Sequence, residues 1–264
     1  MEKIENILIP IMLKAGEIMT CAENIDNSET VQEKSGDAAN LVTLYDVAVQ
    51  NFLINEIRAA IPNAEFVAEE KENDGKALLG EYCFIIDPID GTANFVHEYH
   101  HSCISLALFS RGEAVFAAVY DPYLKEMFSA KRGEGAYLNG KRISVSERDI
   151  EHSIVAFGTT PYYKKTLGES TFKLCYKLFG MCSDVRRCGS AALDLAYLAA
   201  GRNDMFFELM LSPWDIAAGY LLIKESGGII SDTDGNEIDF SHPCPVIAAS
   251  KVAYQTLLNT VKSI

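Results

Sequence analysis

Residues 85–95 read IIDPIDGTANF, and this stretch places two carboxylates, Asp87 and Asp90, where an apolar run stops. The residue before a proline is held in extended geometry, so Asp87 is predicted to end a buried strand with its side chain pointing outward. Gly91 permits backbone angles that other residues resist, and the chain is predicted to turn there. Both carboxylates could then converge on one point, where two such groups share a proton or bind a cation. A hard divalent ion, which prefers oxygen ligands, would neutralise them.

The backbone after this turn offers a second binding feature. If a short helix starts there, the N–H groups of Gly91, Thr92 and Ala93 have no partner within the helix, and such a helix start attracts a phosphate oxygen. The alternative for the same stretch is a strand-end turn in which Asp87 and Asp90 only cap backbone amides. Acidic residues elsewhere in the chain help to decide between a cation site and a turn of this kind.

Two further acidic positions favour a metal site. Glu69 and Glu70 stand at the end of the preceding predicted strand, and pairing of the two strands would bring Glu69 beside Asp87. Asp215 opens a predicted helix far downstream, where the alternative is a capping acid stabilised by the helix dipole. Together the acids form an oxygen-ligand set for two divalent ions: Glu69, Asp87, Asp90 and Asp215.

The composition of the chain limits its class. With 264 residues and 48% hydrophobic content, the chain is long enough to bury a core without disulfide staples. Its seven cysteines, an odd number without a Cys-x-x-Cys pair, predict reduced thiols in a cytoplasm rather than a disulfide framework or a cysteine-based zinc site. The formal net charge of −14 argues against nucleic acid as a partner. The N-terminus lacks the order of a signal peptide, and no apolar run approaches the roughly 18 residues of a membrane span.

The periodicity of apolar residues predicts the order of elements. Two helices come first: one over residues 4–19, and one that starts at a capping box, Thr43-x-x-Asp46, and stops at Pro62. Strands are predicted at 64–68, 82–87, 103–109 and 114–120, followed by a hairpin at Asn139-Gly140. The second half alternates, with strands near 153–157, 184–187, 204–208, 229–231 and 245–249 and helices near 169–179, 190–200, 213–225 and 251–262. Such alternation implies layers of sheet and helix.

No sequence feature marks a linker. The chain shows no internal repeat, low-complexity tract or shift in composition. Residues 1–264 are therefore predicted to form one domain with two lobes, roughly 1–150 and 151–264, and the active site is predicted to lie between them.

Several motifs resemble those of the inositol monophosphatase family, whose members are magnesium-dependent, lithium-sensitive phosphomonoesterases. The motifs are AEE at 68–70, DPIDGTANF at 87–95, SPWDIAAG at 212–219, KSGDAANLVTLYD at 34–46 and RRCGSAALDLAYLAAGRNDMFFE at 186–208. The resemblance implies an α+β fold, a layered α-β-α-β-α sandwich of the inositol monophosphatase and fructose-1,6-bisphosphatase type, and a homodimer. It also implies hydrolysis of a small phosphate ester by direct attack of water.

The resemblance assigns roles to individual positions. Glu69, Asp87 and the carbonyl group of Ile89 would hold a first Mg²⁺ ion. Asp87, Asp90 and Asp215 would hold a second, and Glu69 would support a third, weaker ion. Thr92, paired with Asp46, would position the attacking water, with Glu70 supporting that network from behind.

Other positions would contact the substrate. The backbone amides of Gly91 and Thr92 would cradle the phosphate. The hydroxyl groups of the alcohol would meet Asp90, Glu208 and the backbone of Gly189, Ser190 and Ala191. Thr159 and Lys34, the latter on a loop near the third ion, complete the predicted set.

The sequence leaves alternatives for the substrate and for the class of protein. Inositol-preferring members of the family keep an acid seven residues before the helix aspartate, so the resemblance implies that Glu208, seven residues before Asp215, favours inositol monophosphate. An exposed strand-end acid is the other explanation for Glu208. The same chemistry on fructose 1,6-bisphosphate, 3′-phosphoadenosine 5′-phosphate or histidinol phosphate is the enzymatic alternative. A bisphosphate would need an additional basic residue, which the sequence does not place. A catalytically silent metal- or ligand-binding regulatory protein is the non-enzymatic alternative. Ala68 stands where the family commonly has glycine.

Three histidines raise a separate question. His97, His100 and His101 could face one way on a helix as zinc ligands. They directly follow a site of the magnesium type and have no nearby thiol partner in the sequence, so zinc is disfavoured there.

Overall fold

The computed structural model describes residues 4–27, 30–34, 41–71, 73 and 77–264. Its helices are α1 (Ile4–Thr20), α2 (Leu44–Ala60), α3 (Thr92–Val96), α4 (Lys164–Phe179), α5 (Ala191–Ala199), α6 (Pro213–Glu225) and α7 (Tyr254–Val261). Its strands are β1 (Val31–Glu33), β2 (Leu41–Thr43), β3 (Glu65–Ala68), β4 (Cys83–Asp90), β5 (Cys103–Ser110), β6 (Glu113–Asp121), β7 (Glu126–Lys131), β8 (Gly135–Leu138), β9 (Lys141–Ile143), β10 (Ile154–Phe157), β11 (Asp184–Arg186), β12 (Met205–Leu211), β13 (Ile229–Ser231) and β14 (Cys244–Ala249).

A seven-stranded sheet, in the order β3-β4-β5-β6-β7-β8-β9, forms the first layer of strands. β3 and β4 are parallel, and the other pairs are antiparallel. Helices α1 and α2 cover one face through an apolar cluster that includes Leu8, Leu53 and Ile86. α2 begins at a capping box, because Thr43 and Asp46 satisfy each other's backbone N–H groups. The predicted start of this helix is confirmed.

A five-stranded mixed sheet, in the order β11-β10-β12-β14-β13, forms the second layer of strands. Helices α5 and α6 pack between the two sheets, and α4 and α7 cover the outer face of the second sheet. Close packing of α5 on α6 depends on Gly219, since a Cβ atom there would lie 2.5 Å from Leu195 Cδ1. The predicted α-β-α-β-α sandwich is confirmed.

β4 differs from the prediction that it ends at Asp87. The strand continues to Asp90 and is buried throughout. Asp87 pairs with Ser105 and Asp90 pairs with Cys103, so β4 holds one more residue than β5 over this interval. Pro88 cannot donate a ladder hydrogen bond, and the extra residue forms a β-bulge. Asp87 is correspondingly buried, not directed outward into solvent.

The bulge moves the alternation of side chains by one position. Ile85 contributes to the cluster between the sheets, whereas Ile86 and Ile89 both contribute to the cluster under α1 and α2. In an unbroken strand, residues three positions apart face opposite sides. Because of the extra residue, Asp87 and Asp90 both face the central helices, where their ligand atoms meet.

Several predictions have other outcomes. α4 begins at Lys164 instead of 169, because the short 3-10 helix Pro161–Tyr163 leads directly into it. Residues 35–40 of the predicted motif 34–46 lie outside the described part of the chain.

The seven cysteines all lie in the described part and are free thiols. No helix among the described residues combines the length and apolar character needed to cross a membrane. The division into two lobes stays a prediction.

Candidate active site

Three of the predicted metal ligands meet beside the bulge of β4. One ligand atom from each of Asp87, Asp90 and Asp215 lies within 4.8 Å of the other two. Asp87 and Asp90 come from β4, and Asp215 comes from the first turn of α6, which packs across the same sheet. The structure thus brings together side chains that are far apart in the sequence.

Backbone and hydroxyl donors orient these carboxylates. Oδ2 of Asp90 accepts hydrogen bonds from Ser190 Oγ at 2.5 Å and from the Ala192 nitrogen at 2.7 Å. Oδ2 of Asp215 accepts one from the Ser212 nitrogen at 2.7 Å, within the capping box that starts α6. Asp215 therefore does cap α6, as the alternative explanation had it. Capping occupies only Oδ2, and the other carboxylate oxygen can still bind a metal ion.

Burial raises the pKa of all three carboxyl groups. For Asp87, loss of hydration is the largest cause, followed by the nearby charges of Glu69 and Asp90. For Asp90, burial outweighs its stabilising hydrogen bonds, and for Asp215, burial is followed by the charge of Asp90. A divalent cation placed among them would reverse these shifts, because it favours the ionised form.

Glu69 and Glu70 follow directly from β3. The nitrogen of Glu69 donates to the Ile86 carbonyl oxygen at 3.3 Å, which continues the parallel pairing with β4. Nζ of Lys34 lies 2.8 Å from Oε1 of Glu69 and also bonds Oε1 of Glu70. Burial alone would lower the pKa of Lys34, but attraction to Glu69 and these hydrogen bonds raise it above its usual value. Burial and the charge of Glu69 raise the pKa of Glu70.

Sequence patterns did not indicate Gln50, which fixes the position of Glu70. Its side-chain nitrogen donates to the Glu70 carbonyl oxygen at 3.0 Å, and its side-chain oxygen accepts from the Glu70 nitrogen at 2.9 Å. Gln50 is a buried polar residue on α2, one turn after Asp46. A polar residue at a position that the helical period assigns to the core was the available signal.

Thr92 and Asp46 are in contact, as the resemblance predicted. Oγ1 of Thr92 lies 3.2 Å from Oδ1 of Asp46 and 3.1 Å from the carbonyl oxygen of Ile89. Oδ2 of Asp46 accepts from the nitrogen and the hydroxyl of Thr43 at 2.8 and 2.5 Å. Burial raises the pKa of Asp46 to about 7, even though the hydrogen bonds from Thr43 act in the opposite direction.

Gly91 makes the turn that aims the start of α3 into the pocket. Its φ is 88°, and it serves as the N-cap of α3. A Cβ atom there would lie 3.1 Å from the carbonyl oxygens of both Gly189 and His101. The close approach therefore requires glycine, and it places the first amides of α3 beside the β11–α5 loop.

One pocket of about 410 Å³ is lined by many of the predicted site residues, whereas Asp46 and Glu70 are not part of its wall. The wall includes Glu69, Asp87, Asp90, Gly91, Thr92 and Asp215. Among the described residues that form its wall, six carboxylates stand against two cations, so full ionisation would leave four net negative charges. The carboxylates are Glu69, Asp87, Asp90, Asp194, Glu208 and Asp215, and the cations are Lys34 and Arg187. Such a donor set suits hard divalent ions, which take oxygen ligands.

Four of the predicted contacts to the substrate alcohol line the same pocket: Gly189, Ser190, Ala191 and Glu208. Oε1 of Glu208 accepts from the Thr160 nitrogen at 2.8 Å, and burial raises the pKa of Glu208 to about 7. Glu208 is only 7% exposed, so the exposed strand-end explanation for it is wrong.

Thr159 lies apart from this group. It lines a separate groove along α4, and its hydroxyl accepts from a guanidinium nitrogen of Arg187 at 3.0 Å. Its neighbour Thr160 lines the pocket instead. Arg187, Asp194 and Tyr162 are lining residues that sequence patterns did not indicate, because nothing in their local spacing distinguishes them from surface and helix positions.

Comparisons with known proteins identify relatives of this chain and structures that share its fold. The chain is 41% identical over 236 residues to the Nus factor SuhB of Escherichia coli (strain K12), which covers 89% of this chain and 87% of that protein. The IMPase of Thermotoga maritima superposes with a TM-score of 0.84 at 33% identity, covering 97% of this chain and 95% of that one. SaIMPase-II, solved with inositol monophosphate bound, superposes with a TM-score of 0.80 at 25% identity, covering 97% and 92%.

The inositol monophosphatase family model matches residues 1–264, the whole length of the chain. The match includes both sheets, the bulge of β4 and the helix that carries Asp215. The chain therefore belongs to the inositol monophosphatase family.

Proposed function

We propose that the protein hydrolyses a small phosphomonoester in the presence of Mg²⁺, and that inositol monophosphate, cleaved to inositol and phosphate, is its preferred substrate. The observation that carries this proposal is the meeting of Asp87, Asp90 and Asp215 within 4.8 Å in an acidic pocket. Three buried carboxylates repel one another strongly, and a bound cation offsets that repulsion.

Electrostatics make the cation necessary for the substrate as well. A phosphate monoester is an anion, and the pocket has six carboxylates against two cations. Without further positive charge, the substrate would be repelled. Glu69, Asp87, Asp90, Asp215 and the Ile89 carbonyl are the groups that would hold two Mg²⁺ ions, with a third ion weaker. Bound Mg²⁺ supplies Lewis acidity, which lowers the pKa of a water molecule and neutralises the leaving oxygen.

The chain's own residues orient the reactants. The Thr92 hydroxyl has one proton, and donation to Asp46 or to the Ile89 carbonyl leaves its oxygen as an acceptor for the attacking water. The amides of Gly91 and Thr92, at the start of α3, would hold phosphate oxygens. Positioning of this kind supplies a large part of the rate acceleration in phosphate transfer.

The alcohol end of the pocket supports a polyol substrate. Glu208 is buried, and the Thr160 amide donates to its Oε1, so its other carboxylate oxygen can accept from a substrate hydroxyl. The volume of about 410 Å³ suits a small ligand. SaIMPase-II, which shares this fold, was solved with inositol monophosphate bound.

A second candidate substrate is an ester with another anionic group, such as fructose 1,6-bisphosphate. Arg187, which lines the pocket, is the basic residue that the sequence did not place. Its charge also acts on Glu208 and Asp194, so part of it is already balanced within the wall. Replacing Arg187 with Met should spare inositol monophosphate hydrolysis if the first proposal is correct, and should abolish bisphosphate hydrolysis if the second is.

The name Nus factor, which the SuhB relative carries, supports a further candidate: a role through a protein partner instead of catalysis. Release of inorganic phosphate, measured while Mg²⁺ is titrated over a panel of sugar, inositol and nucleotide monoesters, separates the candidates. We expect Mg²⁺-dependent release with inositol monophosphate, absent in Asp90→Asn and unchanged in Glu56→Gln, an exposed acid on α2. Metal binding without release from any ester would refute the enzymatic proposal.

A further inference from the structure

His101, Cys188 and Asp194 form a second group of ligand-type side chains. A ring nitrogen, a sulfur and a carboxylate oxygen, one from each residue, all lie within 4.8 Å of one another. The three residues come from different segments: the turn before β5, the β11–α5 loop and the first turn of α5. On sequence alone, zinc is disfavoured at the three histidines partly because no thiol is nearby. For His101 the fold supplies that thiol, because Cys188 lies beside it.

The environment of this group leaves one ring nitrogen without a hydrogen bond within the described part of the chain and buries the carboxyl group. Nε2 of His101 is buried and has no hydrogen-bond partner among the described residues. Asp194 is 2% exposed, and its carboxyl group interacts with the Cys188 thiol. Burial lowers the pKa of His101 and raises that of Asp194, so burial disfavours both ionised side chains. A cation placed between the three atoms would relieve this cost.

The segments are fixed before any ion arrives. The side-chain nitrogen of Asn94 donates to the carbonyl oxygens of His101 at 2.7 Å and Cys188 at 2.9 Å. The ring of His101 also meets Tyr197 edge-on, with centroids 5.9 Å apart. Two of the three donors are thus held side by side by one asparagine, and this preorganisation favours metal binding.

We propose that His101, Cys188 and Asp194 bind Zn²⁺ at a site separate from the magnesium site. Nitrogen, sulfur and carboxylate oxygen are the usual ligands of zinc, whereas Mg²⁺ takes oxygen ligands. Zinc bonds to sulfur at about 2.3 Å and to nitrogen at about 2.0 Å, so small side-chain rotations bring the three atoms to bonding distance. Asp194 lines the pocket, and this gives the ion a path of entry.

The same three residue types also occur in nucleophilic cysteine enzymes. Here the thiol is paired with the carboxyl group of Asp194, not with the imidazole, and burial raises the pKa of Cys188 to about 11. A thiol of this kind carries little thiolate and is a poor nucleophile. Zinc binding displaces the thiol proton as part of the binding reaction, so the raised pKa does not prevent it.

The test uses Co²⁺ as a spectroscopic substitute for Zn²⁺ in the intact protein, with Mg²⁺ in excess to occupy the carboxylate site. We expect a near-ultraviolet charge-transfer band from thiolate to cobalt, which Zn²⁺ abolishes by competition and Ca²⁺ does not. Cys188→Ser should remove the band, and Cys21→Ser, at an exposed cysteine, should keep it. His101→Gln should weaken Co²⁺ binding by more than about 100-fold, the upper end of what loss of an outer-shell partner costs.

Two outcomes would overturn the proposal. One is the absence of any thiolate band in wild-type protein whose seven thiols are shown to be reduced. The other is a band that survives in Cys188→Ser, which would assign the ligand to another cysteine, such as Cys103, whose sulfur lies 3.9 Å from Oδ2 of Asp90. Far-ultraviolet circular dichroism checks the fold of each variant, and if Cys188→Ser does not fold, an undiminished affinity in His101→Gln rejects the site.

Discussion

The hydroxyl oxygen of Thr92 lies 3.2 Å from a carboxylate oxygen of Asp46, a residue on a different helix. Asp46 uses its other oxygen to cap α2. One buried side chain therefore determines where α2 starts and also orients the hydroxyl group of the first residue of α3. The start of α2 and the predicted position of the attacking water are coupled through this residue.

Removal of the Thr92 hydroxyl should impair turnover more than binding. In Thr92→Val we expect kcat to fall about 100-fold or more, since the hydroxyl group that we propose orients the water is lost. KM for inositol monophosphate should change little, because the backbone amides remain. Steady-state phosphate release at saturating Mg²⁺ measures both constants. Thr92→Ser keeps the hydroxyl and should recover most of the rate, and equal losses in the two variants would contradict this role.

Asp90→Asn should abolish Mg²⁺-dependent turnover and yet stabilise the metal-free protein. The cation contributes several kcal/mol of transition-state stabilisation, so we expect a loss of about 1,000-fold or more. Without metal, the substitution removes one of three mutually repelling carboxylates. Phosphate release and urea unfolding in the presence of chelator test the two effects. A variant that loses both activity and stability would indicate a folding defect instead.

The stability of the metal-free protein should fall as the pH rises from about 4.5 to 7, because Glu208 has a folded pKa of about 7 against 4.5 in its ordinary state. Over that interval the folded protein binds the proton and the unfolded chain does not, so folding is favoured at the acidic end. Glu208 alone should contribute about 3 kcal/mol to the decline. Urea unfolding at pH 5 and pH 8 should therefore show a smaller decline in Glu208→Gln than in wild type. Equal declines would show that Glu208 ionises normally.

Gly91→Ala should destabilise the fold more than Gly133→Ala. Both glycines have positive φ, 88° and 76°, so both substitutions carry the same type of backbone strain, about 1–3 kcal/mol. At Gly91 the new methyl group would also lie 3.1 Å from two carbonyl oxygens, whereas at Gly133 nothing lies within 4 Å. The difference in free energy of unfolding between the two variants measures the cost of the close approach. No difference would show that the β11–α5 loop moves away freely.

The sequence was sufficient to predict most of the fold, because local chemistry marks the elements. The capping boxes at Thr43 and Ser212 and the helical period of 4–19 all predicted helices that the structure contains. The bulge of β4 was not predicted. A bulge is defined by the register between two strands, here β4 and β5, so the sequence of β4 alone contains no pattern that indicates it.

The site residues likewise fall into those that the sequence predicted and those that it did not. Asp87, Asp90 and Asp215 stand in motifs whose spacing is distinctive, and the structure brings them together. Gln50 and Arg187 contribute through contacts with residues remote in sequence, and neither carries a local signature of that contact. Cys188 and Asp194 join His101 through the fold, because α5 packs against β5 and Asn94 donates to the carbonyl oxygens of both His101 and Cys188.

The extra residue in β4 makes the acidic corner depend on a count of residues as well as on their identity. If β4 kept all its residues but paired with β5 without the bulge, regular alternation would turn Asp90 to the opposite side of the sheet, among Phe84, Ile86 and the apolar face of α1. Such a chain would keep every acidic side chain and lose the place where they meet. One residue added between Asp87 and Asp90 while the bulge persists would have the same effect, so such an insertion in a related sequence would indicate carboxylates that no longer converge.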